Sequence, residues 1–159
     1  MASENDQDRV WKLIEDIGFC MLSTRDGENI RSRPMSAYAD RDAHAIYFLT
    51  DAASHKDAEV AESANVGLAF ADSKGQKYVS VTGSARVSDD RALIRRLWST
   101  PAKAWWDSPD DPSIRVLEVE PRDAQYWDSP GTVASYVKMM AAAVSGTRPA
   151  VGDSAKTRL

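Results

Sequence analysis

The run KYVSVTGSARVS, residues 77 to 88, constrains the fold more than any other stretch of the chain. Val79, Val81, Gly83, Ala85 and Val87 alternate with Tyr78, Ser80, Thr82, Ser84 and Arg86. Successive side chains of an extended backbone point to opposite faces, so this run predicts a long strand with one face against a core. A strand with one buried face makes a sheet the first expectation.

About six strands can be read in total. FCMLST, bounded by the turn RDGE, and NIRSRPMSAYA suggest a hairpin, with Pro34 barring a helix interior. A strand through IYFLT follows DRDAHA; VGLAFA, IRVLEVEP and a short extended AQYWD come later. Helical spacing appears at the start, where Val10, Trp11, Leu13, Ile14 and Ile17 share one face and Gly18 offers a stop. Shorter helices are predicted over HKDAEVAESA and DDRALIRRLW, the second with Ser88 as cap and Asp89 and Asp90 in its first turn. Val133, Tyr136, Val137, Met140 and Val144 fit a last helix that Gly146 can end. After residue 66 no regular long crossover helices separate the strands, which favours a mostly antiparallel barrel over a doubly wound sheet. One domain over residues 1–146 is expected, with 147–159 a disordered tail.

Composition narrows the function. With 159 residues, 43% hydrophobic, the chain can bury the core of one domain. Its net charge of −4 is spread without a basic block, which excludes a phosphodiester-tracking surface. Cys20 is the only cysteine, so no intramolecular disulfide forms, and with two histidines the chain lacks the ligands of a typical structural zinc site. Cys20 itself, in FCMLS, reads as a buried, inert thiol. MASENDQDR has no apolar signal core and no stretch approaches membrane-span length, so a soluble cytoplasmic protein is expected.

Chemistry concentrates where IYFLT gives way to DAASHK. Ser54 and Asp57 fit the S-x-x-D pattern of a helix start, where exposed amides and the positive end of the dipole favour an anion. Thr50 and Lys56 add a hydroxyl and a charge. Arg31 and Arg33, two apart on an extended segment, project from one face and make a donor fork suited to phosphate. Pairing of residues 29–39 with 45–50 would carry that fork towards the Thr50 to Lys56 corner. Phosphate binding is the reading that these pieces share.

Taken in order, IRSRPM, IYFLTDAASHK, VGLAFAD, YVSVTGSARV, the LW and KAWW of LWSTPAKAWW, and VEPRDAQYWDSPG resemble the pyridoxamine 5'-phosphate oxidase-like FMN-binding split-barrel superfamily, and most closely its general stress protein branch. The resemblance covers roughly residues 8–130. It implies a six-stranded antiparallel split β-barrel with flanking helices, forming a homodimer with FMN at the subunit interface. The implied flavin-contacting residues are Arg31, Ser32, Arg33 and Pro34 on one strand, Phe48, Leu49 and Thr50 on another, then Ser54, His55 and Lys56, with Tyr78 and Trp127. Trp127 matches a tryptophan that approaches the flavin of the partner subunit. Tyr78 stands where true pyridoxamine phosphate oxidases tend to carry glutamine, and DSPGTVASYVK lacks their arginine- and histidine-bearing substrate motif. Vitamin B6 oxidation is therefore not expected.

Other residues invite blander readings. Trp11 and Trp98 fit core positions. Trp105 and Trp106 suit either core or dimer packing or a substrate cleft, with packing favoured. Asp110, Asp111 and Asp128 read as turn formers and caps, and His44 as an exposed turn residue. No nucleophile has a convincing base partner. Three functions stay open: an FMN-dependent oxidoreductase taking hydride from a nicotinamide cofactor or small organic substrate; a non-catalytic FMN-binding stress or sensor protein; and a split barrel that holds haem, a deazaflavin or nothing.

Overall fold

The computed structural model describes residues 4–54, 60, 64–129, 132–148 and 152–159. In chain order the elements are α1 (Glu4–Ile17), β1 (Phe19–Asp26), β2 (Asn29–Ser36), β3 (Tyr38–Asp40), β4 (Ala45–Asp51), β5 (Asn65–Asp72), β6 (Lys77–Ser88), α2 (Arg91–Leu97), β7 (Ile114–Asp128), α3 (Thr132–Ser145) and β8 (Asp153–Arg158). Between α2 and β7 lies a 3-10 turn, Thr100–Ala104. The helix expected over HKDAEVAESA falls largely outside the described residues.

Every strand pair is antiparallel, in the order β2-β1-β5-β6-β7-β4-β3, with β8 added to β7. The two ends of this ladder, β2 and β3, are separated in sequence only by Ala37. The sheet must therefore curl until its ends approach, yet β2 and β4 form no ladder and the barrel stays split. The mainly β antiparallel architecture agrees with expectation, but there are eight strands among the described residues rather than six. The extended segment 29–39 breaks at Ala37, so that only β3 pairs with β4, Tyr38 opposite Tyr47.

IRVLEVEP and AQYWD are one strand rather than two. Pro121 lacks an amide hydrogen, and the ladder skips a residue there: Thr82 faces Asp123 but Gly83 faces Pro121. A Cβ on Gly83 would stand 2.6 Å from the Glu120 carbonyl oxygen, so only glycine permits this close approach.

The tail expectation is also corrected. Asp153–Arg158 is strand β8, paired with Asp123–Asp128. DSAKTR has too little apolar surface to form structure alone, so pairing with the open edge of β7 orders it. Thr157 becomes buried, and Ala155 and Leu159 pack on the core. Gln7 donates to the Arg158 carbonyl (2.8 Å) and Arg9 to Asp153 (3.0 Å), tying β8 to α1.

Two cores flank the sheet. Val10, Trp11, Leu13 and Ile14 of α1 pack with Leu22, Ile46, Phe48, Leu68, Phe70, Val79 and Val81. On the other side Ala45 and Tyr47 join Ile94, Leu97, Ile114 and Val116, with Trp98 alongside. Strand β4 divides its alternate side chains between the two cores, which explains its unbroken apolar run. Gly18, at φ +73°, ends α1 and donates its amide to the Ile14 carbonyl (2.9 Å). The cap of α2 is Asp90, accepting the Leu93 amide at 3.1 Å, while Ser88 accepts the Asp90 amide instead (3.2 Å). His44 is half-buried, within hydrogen-bond distance of the Pro121 carbonyl (3.0 Å) and edge-on to Trp11, rather than exposed.

Asp128 is no turn former. It accepts from Lys77 (2.6 Å) and Arg9 (2.9 Å). Burial pushes its carboxyl upward, but these two cations outweigh that and hold it below the usual carboxylate range.

Candidate functional site

Strand β4 ends at Asp51 in a tight turn. The Asp51 carboxylate accepts the Ala53 amide (2.8 Å), and the Asp51 carbonyl accepts the Ser54 amide (3.0 Å). The Ala53 amide holds the carboxyl low despite partial desolvation, helped by hydrogen bonds from Trp106 and Ser113 and by the charge of Arg115. This turn folds Ser54 back over the strand, so its hydroxyl meets that of Thr50 at 3.2 Å. Thr50 is buried at the strand end.

The facing wall comes from β2. Arg33 donates to the Thr24 hydroxyl at 2.6 Å, which fixes the guanidinium across the hairpin. Pro101 lies in the first turn of the 3-10 segment that forms the third wall, and the Ala102 carbonyl accepts the amides of both Trp105 (3.0 Å) and Trp106 (3.1 Å). Together these walls enclose a cleft of about 490 Å³ lined by Arg33, Pro34, Leu49, Thr50 and Ser54 of the expected set. Phe19, Met35, Ser36, Tyr38, Asp51, Pro101, Ala102, Trp105 and Trp106 complete the lining. Among the described residues a guanidinium, the paired hydroxyls of Thr50 and Ser54, and several apolar faces thus meet in one concave site, a combination that suits a planar organic molecule with an anionic end.

The other described residues of the expected set lie elsewhere. Arg31 pairs with Asp26 at the end of its own hairpin, and the Ser32 hydroxyl meets that of Ser23 at 2.7 Å. The expected double-arginine fork therefore reduces to Arg33. Phe48 is fully buried, since it alternates away from Leu49 into the α1 core. Tyr78 and Trp127 face each other across β6 and β7 on the outer face of the sheet, both more than a third exposed. His55 and Lys56 lie outside the described residues.

Sequence reasoning passed over Phe19, Met35, Tyr38 and Asp51 as site residues. It did weigh the adjacent tryptophans, and the structure separates them: Trp106 packs on the second core, whereas Trp105 is 80% exposed. A larger recess of about 570 Å³ borders Asp40, Arg41 and Arg96. Its arginines are already committed, Arg96 to Asp40 and Arg41 to Asp8, so it offers less to a ligand.

Among the described residues no helix is long and apolar enough to cross a membrane, and no group of three or more His, Cys, Asp or Glu is arranged to hold a metal.

The Pyridoxamine 5'-phosphate oxidase like family model matches residues 5–150. General stress protein 26 of Bacillus subtilis (strain 168) is 32% identical over 98 residues, 58% of this chain and 70% of that protein. A Jannaschia sp. CCS1 protein described as a general stress protein 26 superposes with TM-score 0.79 over 99% of this chain and 100% of its own, at 23% identity, a likeness of fold. The general stress FMN/FAD binding protein of Xanthomonas citri has TM-score 0.70 and 29% identity, covering 79% of this chain and 90% of that one. On its sequence and its split antiparallel sheet alike, the chain belongs to the pyridoxamine 5'-phosphate oxidase-like family, in the general stress protein branch.

Proposed function

We propose that this chain is an FMN-binding flavoprotein whose cleft holds the flavin phosphate between Arg33 on β2 and the hydroxyls of Thr50 and Ser54 at the end of β4. The observation that carries the reading is the convergence of Arg33 from β2 and of Thr50 and Ser54 from the end of β4 on one cleft. A guanidinium and two hydroxyls match the charge and hydrogen-bonding capacity of a phosphate. The volume lies within the range of roughly 300–1,000 Å³ usual for small-molecule sites. Further support comes from the Xanthomonas citri relative, an FMN/FAD binding protein. In the sequence His55 and Lys56 follow Ser54 directly and belong to the same phosphate corner in this reading.

Flavin, when bound, supplies hydride or electron transfer, with a nicotinamide cofactor or a small organic molecule as the exchanging partner. The protein's part is positional. Arg33, fixed by Thr24, neutralises the phosphate; Thr50 and Ser54 donate to it; Phe19, Pro34 and Leu49 keep water from the ring. The function is an oxidoreductase of the general stress protein type, cytoplasmic, and not a vitamin B6 oxidase.

In the same reading the chain works as a homodimer. Phe19, Met21, Ile30, Tyr78 and Trp127 are large apolar side chains left exposed on this chain. A second copy covering them would remove apolar surface from water and bring Trp127 towards its neighbour's flavin. Anaerobic addition of NADH, then NADPH, to the flavin-loaded protein tests the redox role. Bleaching of bound flavin faster than of free flavin is expected; bleaching no faster would contradict turnover and leave a binding or sensing role.

A further inference from the structure

We infer that Trp105 is a stacking platform for a second ligand of the cleft, a planar, uncharged, conjugated ring. This rests on the flavin reading, since the first ligand occupies the Arg33 corner and the second would meet it from the mouth.

The exposure of Trp105 is enforced rather than incidental. Its neighbour Trp106 is tied to the Asp51 carboxylate and packs on the core around Ile94 and Ile114. Pro101 stiffens the preceding turn, and the amides of both tryptophans converge on the Ala102 carbonyl. With one indole anchored, the other is held out at 80% exposure, against 4% for Trp11. An apolar surface of this size is costly to leave in water unless something covers it.

The lining defines what can cover it. Pro101 and Leu49 share the cleft with Trp105 and offer flat or aliphatic surface. Among the described lining residues the only cation is Arg33, already bonded to Thr24 and assigned to the phosphate. The carboxylate in the lining is Asp51, which stays ionised at neutral pH and disfavours a second anion. Among the described lining residues no further cation accompanies the indole face, which favours a neutral ring that stacks.

The test uses the oxidised, FMN-loaded protein without reductant and two probes, naphthoquinone and naphthoquinone sulfonate, titrated calorimetrically. Wild type should bind the neutral probe more tightly than the sulfonate. Trp105→Ala should weaken the neutral probe about fivefold to tenfold, and Trp105→Phe should keep it within about twofold of wild type. FMN affinity, measured separately, should move less than the quinone affinity in both variants. Equal quinone affinity in wild type and Trp105→Ala, a preference for the sulfonate, or a parallel loss of FMN would overturn the platform. If wild type binds no FMN, the same titration on the unloaded protein decides. Quinone binding lost in Trp105→Ala then keeps the platform while the flavin reading falls, and no binding to wild type overturns the platform as well.

Discussion

Arg33→Ala removes the one cation that the described residues bring to the cleft. A hydrogen bond to a charged group contributes roughly 1.5–3 kcal/mol. Arg33 is half-buried and the cleft opens to solvent, which places the loss near the lower end, about 1.5–2 kcal/mol, or roughly tenfold to thirtyfold in the FMN dissociation constant. The substitution also takes a partner from Thr24, only 2% exposed, so some stability should be lost as well. Riboflavin separates the two effects, because it carries the same ring without the phosphate. Fluorescence-quenching titrations of FMN and riboflavin, at one ionic strength, should show FMN weakened and riboflavin nearly unchanged. Arg33→Lys, which keeps the charge but loses the fork, should fall between. If FMN and riboflavin weaken together, Arg33 acts through the fold; if neither weakens, the phosphate lies elsewhere. Either result refutes the assignment.

Other features make independent predictions. Asp128 has a folded-state pKa below its ordinary value, so its ion pairs contribute fully above the ordinary carboxylate range and are lost as pH falls through the lower folded value. Asp128→Asn should cost about 1 kcal/mol at neutral pH, because Arg9 and Lys77 are exposed enough to rehydrate, and should flatten the acid limb of the stability curve; an unchanged limb would contradict this. Gly83→Ala drives a Cβ against the Glu120 carbonyl and Val119, and should lower the denaturation midpoint by roughly 1–3 kcal/mol of stability; an unaltered midpoint would show that β7 can yield there. Burial raises the Cys20 thiol to about 12, so the folded protein should resist thiol labelling at mildly alkaline pH until denaturant is added, and rapid labelling of the native state would oppose that.

Much of the fold was legible because alternation survives wherever one sheet face is wet. β6 matches its predicted span residue for residue, and Val79, Val81 and Ala85 are buried while Tyr78, Ser80 and Thr82 are not. What misled was local chemistry overridden by pairing. Pro121 looks like a strand end, yet a skipped residue carries β7 past it. DSAKTR looks like a tail, yet the edge of β7 supplies the backbone partners it lacks. The site was legible in the same uneven way. Thr50 and Ser54 sit at a visible strand end, so their meeting follows from spacing. Arg31 and Arg33 look equivalent in sequence, but only the hairpin register reveals that Asp26 claims the first. Which of the two adjacent tryptophans anchors and which stands free depends on Asp51 and the second core, which no local pattern encodes.

The most direct measurement is a titration of the purified chain with FMN, followed by the visible flavin bands and by sedimentation. The account predicts saturable binding at micromolar FMN, one flavin per chain, on a dimeric species. A chain that carries no flavin bands and takes up no FMN at that concentration would contradict it.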